Sequence, residues 1–405
     1  MNAFDLELRA RLDHLRGQGL HRELRRVNSP QGPHLVVDGQ PLLNFSSNDY
    51  LGLANHFQLK EAAARAAVEF GAGSGAARLI CGSLSPHHEL EEVLADFKGT
   101  EAALAFSSGY TTALGAVGAL LEKEDVILID ELVHACLVDA ARLCGAKLRV
   151  FGHNDLDGLA KMLKWADTRR AARDVLAGSA QKRPRVLVVT ESIFSMDGDP
   201  ALLREIVELK ERHGAWLMLD EAHATGLYGQ HRRGLAEAYG LAEHIDVQMG
   251  TLGKALGAAG GYVCGSRPLI DLLIHRARSF LFSTAPVPAA VAAATAAVRL
   301  VQSAEGEARR TRLWQRVDEV KNSVIQAGWS LPAAQSAILP LIVGGEEQAV
   351  TLASALRERG VFIPAIRYPT VARGAARLRL TVTAAHAPED VRKLAEALAP
   401  VKSQG

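Results

Sequence analysis

The chain has 405 residues, 48% hydrophobic and 22% charged, with a formal net charge of +1. That length can bury a large core and favours more than one domain, while the near-zero charge gives no reason to expect nucleic acid or a membrane as a partner. Cys81, Cys136, Cys144 and Cys264 form no C-x-x-C pair, so neither a zinc site, another metal centre nor a disulfide framework is expected, and a reduced cytoplasm suits them.

Arginines and leucines recur at helical spacing over 6–26, with a break near Gly17 and Gly19; a solvated basic face explains that pattern equally well. Asp38-Gly39, between the apolar runs of 33–45, reads as a hairpin turn. Residues 1–45 thus form an N-terminal helix-and-hairpin segment. From residue 60 onward short apolar runs alternate with helical segments, at 102–106, 125–130, 147–151, 185–192, 215–220, 246–250 and 261–265. Most are continuous and rich in branched residues, as strands covered on both faces are. The expected class is α/β: a mainly parallel central sheet with helices on both faces and right-handed crossovers, in a large domain over 46–285. The polar stretch 169–185 reads as an exposed connection. The alanine-rich 285–301 carries two prolines, falls short of the ~18–20 apolar residues that cross a bilayer, and reads as a buried helix. The N-terminus lacks the apolar region of a signal peptide. Strands at 337–343 and 376–382 then alternate with helices at 346–360 and 388–401, giving a smaller C-terminal α/β domain within 286–405.

Two short segments carry the chemistry. DEAHATG, with Asp220 and His223, follows one strand, and GTLGKALG, with Lys254, follows another. Open α/β sheets place their sites at such strand ends. A lysine that forms a Schiff base with an aldehyde, and a carboxylate that pairs with a pyridinium nitrogen, are what pyridoxal phosphate (PLP) requires. DEAH also occurs in ATPases, but those need a G-x-x-x-x-G-K-[ST] loop, which this chain lacks. SSGYTTALG (107–115) follows a strand and opens a helix, so its free amides suit a phosphate. Gly109 permits close approach, and Ser108 and Tyr110 can add contacts. Thr251 can donate one more bond. Lys98 and Lys147 lack comparable company and read as surface residues.

These segments, with NFSSNDYLGLA (44–54), GSGAARLICGS (73–83), ESIFSMDGD (191–199), FSTAPVP (282–288) and ARLRLTVTAAH (376–386), cover nearly the whole chain. The sequence resembles the α-oxoamine synthases, fold-type I PLP-dependent transferases that condense an amino acid with an acyl-CoA and release carbon dioxide. The resemblance implies that Lys254 carries the cofactor, Asp220 meets its pyridine nitrogen and His223 its phenolic oxygen. It places His134 on the ring face and Ser195 close by, with Asp197 and Gly198 shaping the turn. Ser283 and Thr284 would reach the phosphate of a neighbouring subunit, making a homodimer with shared sites. Arg379 would grip the amino-acid carboxylate and Arg367 act at a later stage. Arg377 lies on the same strand face, and only the resemblance sets it aside. Where the family has a second proline after the first arginine, this chain has Tyr368. Asn48 would line the substrate cavity, and Arg22 or Arg25 would meet a distal carboxylate of the acyl group. Within the family the wording is most similar to the member that joins L-alanine to a pimeloyl thioester, on CoA or a carrier protein, in biotin biosynthesis. Members using glycine or serine, a plain aminotransferase and a non-catalytic subunit are the alternatives.

Overall fold

The computed structural model describes residues 2–177, 184–331 and 335–399. Two compact units share the chain. The larger takes Leu51–Ser195 and Asp199–Arg310, the smaller Met1–Tyr50, Met196–Gly198 and Thr311–Gly405.

The smaller unit opens with the helix Ala3–Gly17, which starts on an Asn2 cap and buries none of its residues. Phe4, Leu8, Leu12 and Leu15 therefore form an exposed apolar stripe at helical spacing. Strands β1 (His34–Val37) and β2 (Gln40–Asn44) pair antiparallel across Asp38 and Gly39. Both turn residues have positive φ, 51° and 81°, the geometry that Asp-Gly favours in a two-residue hairpin.

The larger unit is built on β3 (Ala102–Phe106), β4 (Val126–Asp130), β5 (Lys147–Phe151), β6 (Val186–Glu191), β7 (Trp216–Asp220), β8 (Val247–Thr251) and β9 (Gly261–Gly265). They form one sheet in the order β3-β9-β8-β7-β6-β4-β5. Strands β5, β4, β6, β7 and β8 pair parallel, and β9 runs antiparallel to β8 and β3. Every residue of β3, β4, β6 and β9 is buried, which is why those runs are continuously apolar rather than alternating. The chain adds β5 on one side of β4 and β6 on the other; ligands bind beyond the strand ends at such a reversal.

The reading of 169–185 as an exposed connection fails over its first part. The helix Leu156–Ala177 continues through it, and Arg170 is buried, its guanidinium donating to the carbonyls of Pro184, His213 and Gly214. The planar fork satisfies several acceptors at once, so a charged residue can be interior. Residues 178–183 lie outside the described residues. The alanine-rich helix Pro288–Gln302 starts with proline in its first turn and packs on the helices Phe57–Phe70 and Ser85–Lys98. Among the described residues no helix is long and apolar enough to cross a membrane.

The chain returns to the smaller unit with β10 (Ile338–Gly344), β11 (Val361–Phe362), β12 (Ala365–Ile366) and β13 (Ala376–Thr381). β13 lies between β10 and β12, antiparallel to both, while β11 pairs parallel with β2. The helices Glu346–Glu358 and Pro388–Leu398 follow β10 and β13.

Candidate active site

Asp220 ends β7, Glu191 ends β6, and the two are register partners. Lys254 lies three residues past the end of β8. Its Nζ is 2.9 Å from His223 Nε2, so the two motifs singled out in the sequence do meet. Asp220 is buried and its Oδ1 accepts the Ala222 N–H at 2.9 Å. Burial pushes its pKa up, against the pull of the Lys254 charge and the Ala222 amide.

The helix Gly109–Leu120 starts beside these groups. Ser108 caps it: its Oγ accepts the Thr111 N–H, and Thr111 Oγ1 accepts the Ser108 N–H. The amides of Gly109 and Tyr110 fall in the first turn, ahead of the intrahelical ladder. A Cβ on Gly109 would stand 3.6 Å from Thr251 Cβ and 3.7 Å from its Oγ1, so the helix start and Thr251 face one space. Gly261 makes this approach possible, since a Cβ there would come within 2.8 Å of Gly109 N. Tyr110 donates its hydroxyl to Asp139.

His134 caps the helix Ala135–Leu143. Its Nδ1 accepts the Cys136 N–H at 3.2 Å and lies 3.0 Å from Cys136 Sγ, while its own N–H donates to Glu191 Oε1 at 2.5 Å. Burial, and then the Lys254 charge, lower its pKa. Ser195, past β6, is buried. Ser283 is half-buried and Thr284 exposed, on a segment that bridges to Ala77.

In the smaller unit, Arg377 and Arg379 both lie buried on β13. Their partners separate them: Arg377 is engaged by Asp197 at 2.5 Å, whereas Arg379 donates to Asn48 Oδ1 at 3.0 Å. Gly198 shapes the turn beside Asp197, with φ 72° and no room for a Cβ within 2.4 Å of the Ile338 carbonyl. Arg367 donates to the His21 carbonyl at 2.6 Å and Arg22 to the Tyr368 carbonyl at 3.4 Å. Both arginines and Arg25 line a cavity of about 950 Å³.

Lys98 is not a surface residue. It is 2% exposed, with Nζ 2.5 Å from Glu221 Oε2 and 2.5 Å from the Arg233 carbonyl. The pair is hidden because its acid follows Asp220 directly and the contact spans 123 positions. Lys147 is half-exposed and pairs with Glu124 at 2.7 Å.

Sequence reasoning also missed Glu191 and His153. Glu191 had a signal: like Asp220, it is the acid that closes an apolar strand. His153 bridges Asp130 at 3.2 Å and Asp199 at 2.8 Å, tying the loops after β5 and β6 together. Burial opposes its charge, but the two carboxylates outweigh burial and push its pKa up to about 10. A histidine pKa raised on folding stabilises the protein fully below the unfolded value, and the contribution is lost as pH rises through the folded one. His153→Gln is therefore expected to lower the melting temperature most near pH ~6, with the gap to wild type closing as pH rises through about 10. Melting curves across that range check it; a gap independent of pH contradicts it.

Strand-end lysine and carboxylate on a mainly parallel sheet define a transferase of the class I and II aminotransferase type, and residues 40–398 match that family. The 8-amino-7-oxononanoate synthase of Anaeromyxobacter dehalogenans is 48% identical over 392 residues, 97% of this chain and 94% of its own. That of Geobacter sulfurreducens is 45% identical over 390 residues, 96% of each. A solved serine palmitoyltransferase from S. paucimobilis, bound to PLP and myriocin, superposes with a TM-score of 0.89 at 28% identity, over 100% of this chain and 99% of its own. The chain belongs to the α-oxoamine synthase family of fold-type I PLP enzymes.

Proposed function

We propose that the protein is an 8-amino-7-oxononanoate synthase. It condenses L-alanine with a pimeloyl thioester, releasing carbon dioxide and free thiol, in biotin biosynthesis. The observation that carries this is the meeting of Lys254 and His223 at 2.9 Å beside buried Asp220, in a chain 48% identical to an enzyme of that name.

The residues present fit PLP. The capped start of the helix Gly109–Leu120, with Thr251 facing it, suits a phosphate. Asp220 is a buried carboxylate with acceptor capacity left beyond its bond to Ala222. His134 is exposed, and Ser195 and Tyr110 follow β6 and β3. When bound, PLP supplies a carbonyl that condenses with amines and a ring that takes up the electron pair released at the amino-acid α-carbon. Lys254 would hold the cofactor, and its Nζ would be the base for the α-proton of alanine. Asp220 keeps a proton on the pyridine nitrogen. His223 bonds the phenolic oxygen and orients Lys254. His134 covers the ring and excludes water from that face. Arg379, steadied by Asn48, grips the alanine carboxylate, and Arg367 acts later in the sequence. Arg22, with Arg25 as the alternative, meets the distal carboxylate of the pimeloyl chain.

The protein works as a homodimer in a reduced cytoplasm, with Ser283 and Thr284 reaching the phosphate in the partner's site. Leu79, Ile80 and Phe282, exposed beside the Ala77–Thr284 bridge, and the bare stripe of the N-terminal helix support a second copy as the cover. CoA and a carrier protein are both acyl carriers of suitable chemistry.

A substrate panel tests the assignment: alanine, glycine and serine against pimeloyl, acetyl, succinyl and long-chain thioesters, with carbon dioxide and thiol both measured. Preference for glycine with acetyl-CoA would overturn the substrate assignment. Amino transfer to keto acids without carbon dioxide would overturn the synthase reading. Arg379→Lys keeps the charge but loses the two-pronged fork, so the Kd for alanine is expected to rise about 10–100-fold, from losing ~1.5–3 kcal/mol of charged hydrogen bonding. Thioester affinity should hold. Binding titrations of the two substrates separate these outcomes.

A further inference from the structure

Asp220 accounts for one carboxyl at the strand ends, and a second, Glu191, stands beside it. Both are buried, at 5% and 2% exposure. As register partners on neighbouring parallel strands they point to the same side of the sheet, their backbones a strand spacing of ~4.8 Å apart. Two buried carboxyls on the same side of neighbouring strand ends disfavour each other's ionised form, which favours a single charge between them. The charged groups that act on Glu191 are Lys254, Asp220 and Asp130, with the main-chain N–H of His134 donating to its Oε1.

We propose that Glu191 is a positioning residue that stays neutral: it bears the pair's proton, holds the main chain of His134, and leaves Asp220 as the only charge of the two. This rests on the reading that Asp220 serves the pyridine nitrogen, which commits Asp220 to the ionised form. The carbonyl oxygen of a protonated Glu191 still accepts the His134 N–H, so neutrality weakens that bond but does not break it. It also avoids a second buried anion, which would compete with Asp220 for the positive ring and for Lys254. Burial, and then the Asp220 charge, push the Glu191 pKa up to about 8, against Lys254 and the His134 amide. The sequence TES, closing the apolar run of β6, places this acid one strand over from the D of DEAH.

The test uses PLP-loaded enzyme and difference infrared spectroscopy. Wild type is expected to show the carbonyl stretch of a protonated carboxyl at neutral pH, fading as pH rises through about 8. Glu191→Gln copies the neutral form and keeps an acceptor for His134, so the band should vanish while PLP affinity and the pH dependence of the visible band stay within about twofold of wild type. Glu191→Leu removes the acceptor, strands the His134 N–H and should weaken PLP binding roughly tenfold. The absence of the carboxyl band from wild type, its persistence in Glu191→Gln, or a tenfold weaker PLP affinity in Glu191→Gln each overturns the proposal. If the variants do not fold, absence of the band from wild type still overturns the proposal. A missing band in a yellow, active enzyme would leave the synthase reading intact, whereas a protein that takes up no PLP would fail that reading first.

Discussion

Lys254→Ala is expected to lower turnover by at least roughly 10³-fold, or about 4 kcal/mol of barrier. Nζ has two duties in the proposed chemistry, carrying the cofactor and taking the α-proton, and alanine performs neither. The local geometry makes the loss specific: His223 Nε2 stands 2.9 Å from Nζ, so the amine is held toward the buried acid rather than left on a mobile loop. Lys254→Arg should fall as far, because a guanidinium keeps the charge but offers no neutral amine. That pair of variants separates chemistry from electrostatics. Wild type should be yellow when loaded, borohydride should fix the cofactor to the peptide containing Lys254 and to no other, and the alanine variant should lose the fixed label. Retention of about a tenth of wild-type turnover in either variant, outside the rate losses general base and nucleophile removal produce, would contradict the assignment.

The sheet was legible because its strands are covered on both faces. Runs such as VILID and VLVVTE are buried at every residue, so the sequence needs no alternation to declare them. The Asp-Gly turn was legible for a local reason too, as its two positive φ values are what those residues tolerate. What stayed hidden was pairing over long separations. Lys98 meets Glu221, and Arg170 meets the carbonyls of three segments; a charged residue carries no sign of burial until its partner is in place. The short strands β11 and β12 were hidden for another reason: two residues show no period. Among the site residues, Asp220, His223 and Lys254 stood out because glycines and strand ends frame them. Arg377 and Arg379, two apart on one strand, were separated in the sequence by resemblance alone, since spacing cannot show that one meets Asp197 and the other Asn48. Glu191 was overlooked although it occupies the same strand-end place as Asp220, because TES lacks the flanking glycine and histidine that make DEAHATG conspicuous.

Asp220→Asn is expected to retain the cofactor and lose α-proton exchange on alanine by roughly 10²-fold or more. Asparagine matches aspartate in size and keeps an oxygen for the Ala222 N–H, now accepted by Oδ1 at 2.9 Å, so the loop after β7 should hold its shape. What goes, in the proposed chemistry, is the charge that would keep the pyridine nitrogen protonated, and with it the ring's capacity to take up the α-carbon electron pair. The neighbouring strand end makes the experiment sharper. Asp220 is one of the influences that hold the Glu191 pKa up, so removing its charge should let Glu191 ionise at lower pH. A negative charge would then return to the cluster one strand away, on a side chain already tied to His134. If charge anywhere in this pocket sufficed, exchange would recover as pH rises and Glu191 ionises; if its position at the end of β7 matters, exchange stays low throughout. We expect the second outcome, read by deuterium incorporation at the alanine α-carbon with the cofactor saturating. Exchange equal to wild type at full occupancy would show that Asp220 does not serve the pyridine nitrogen.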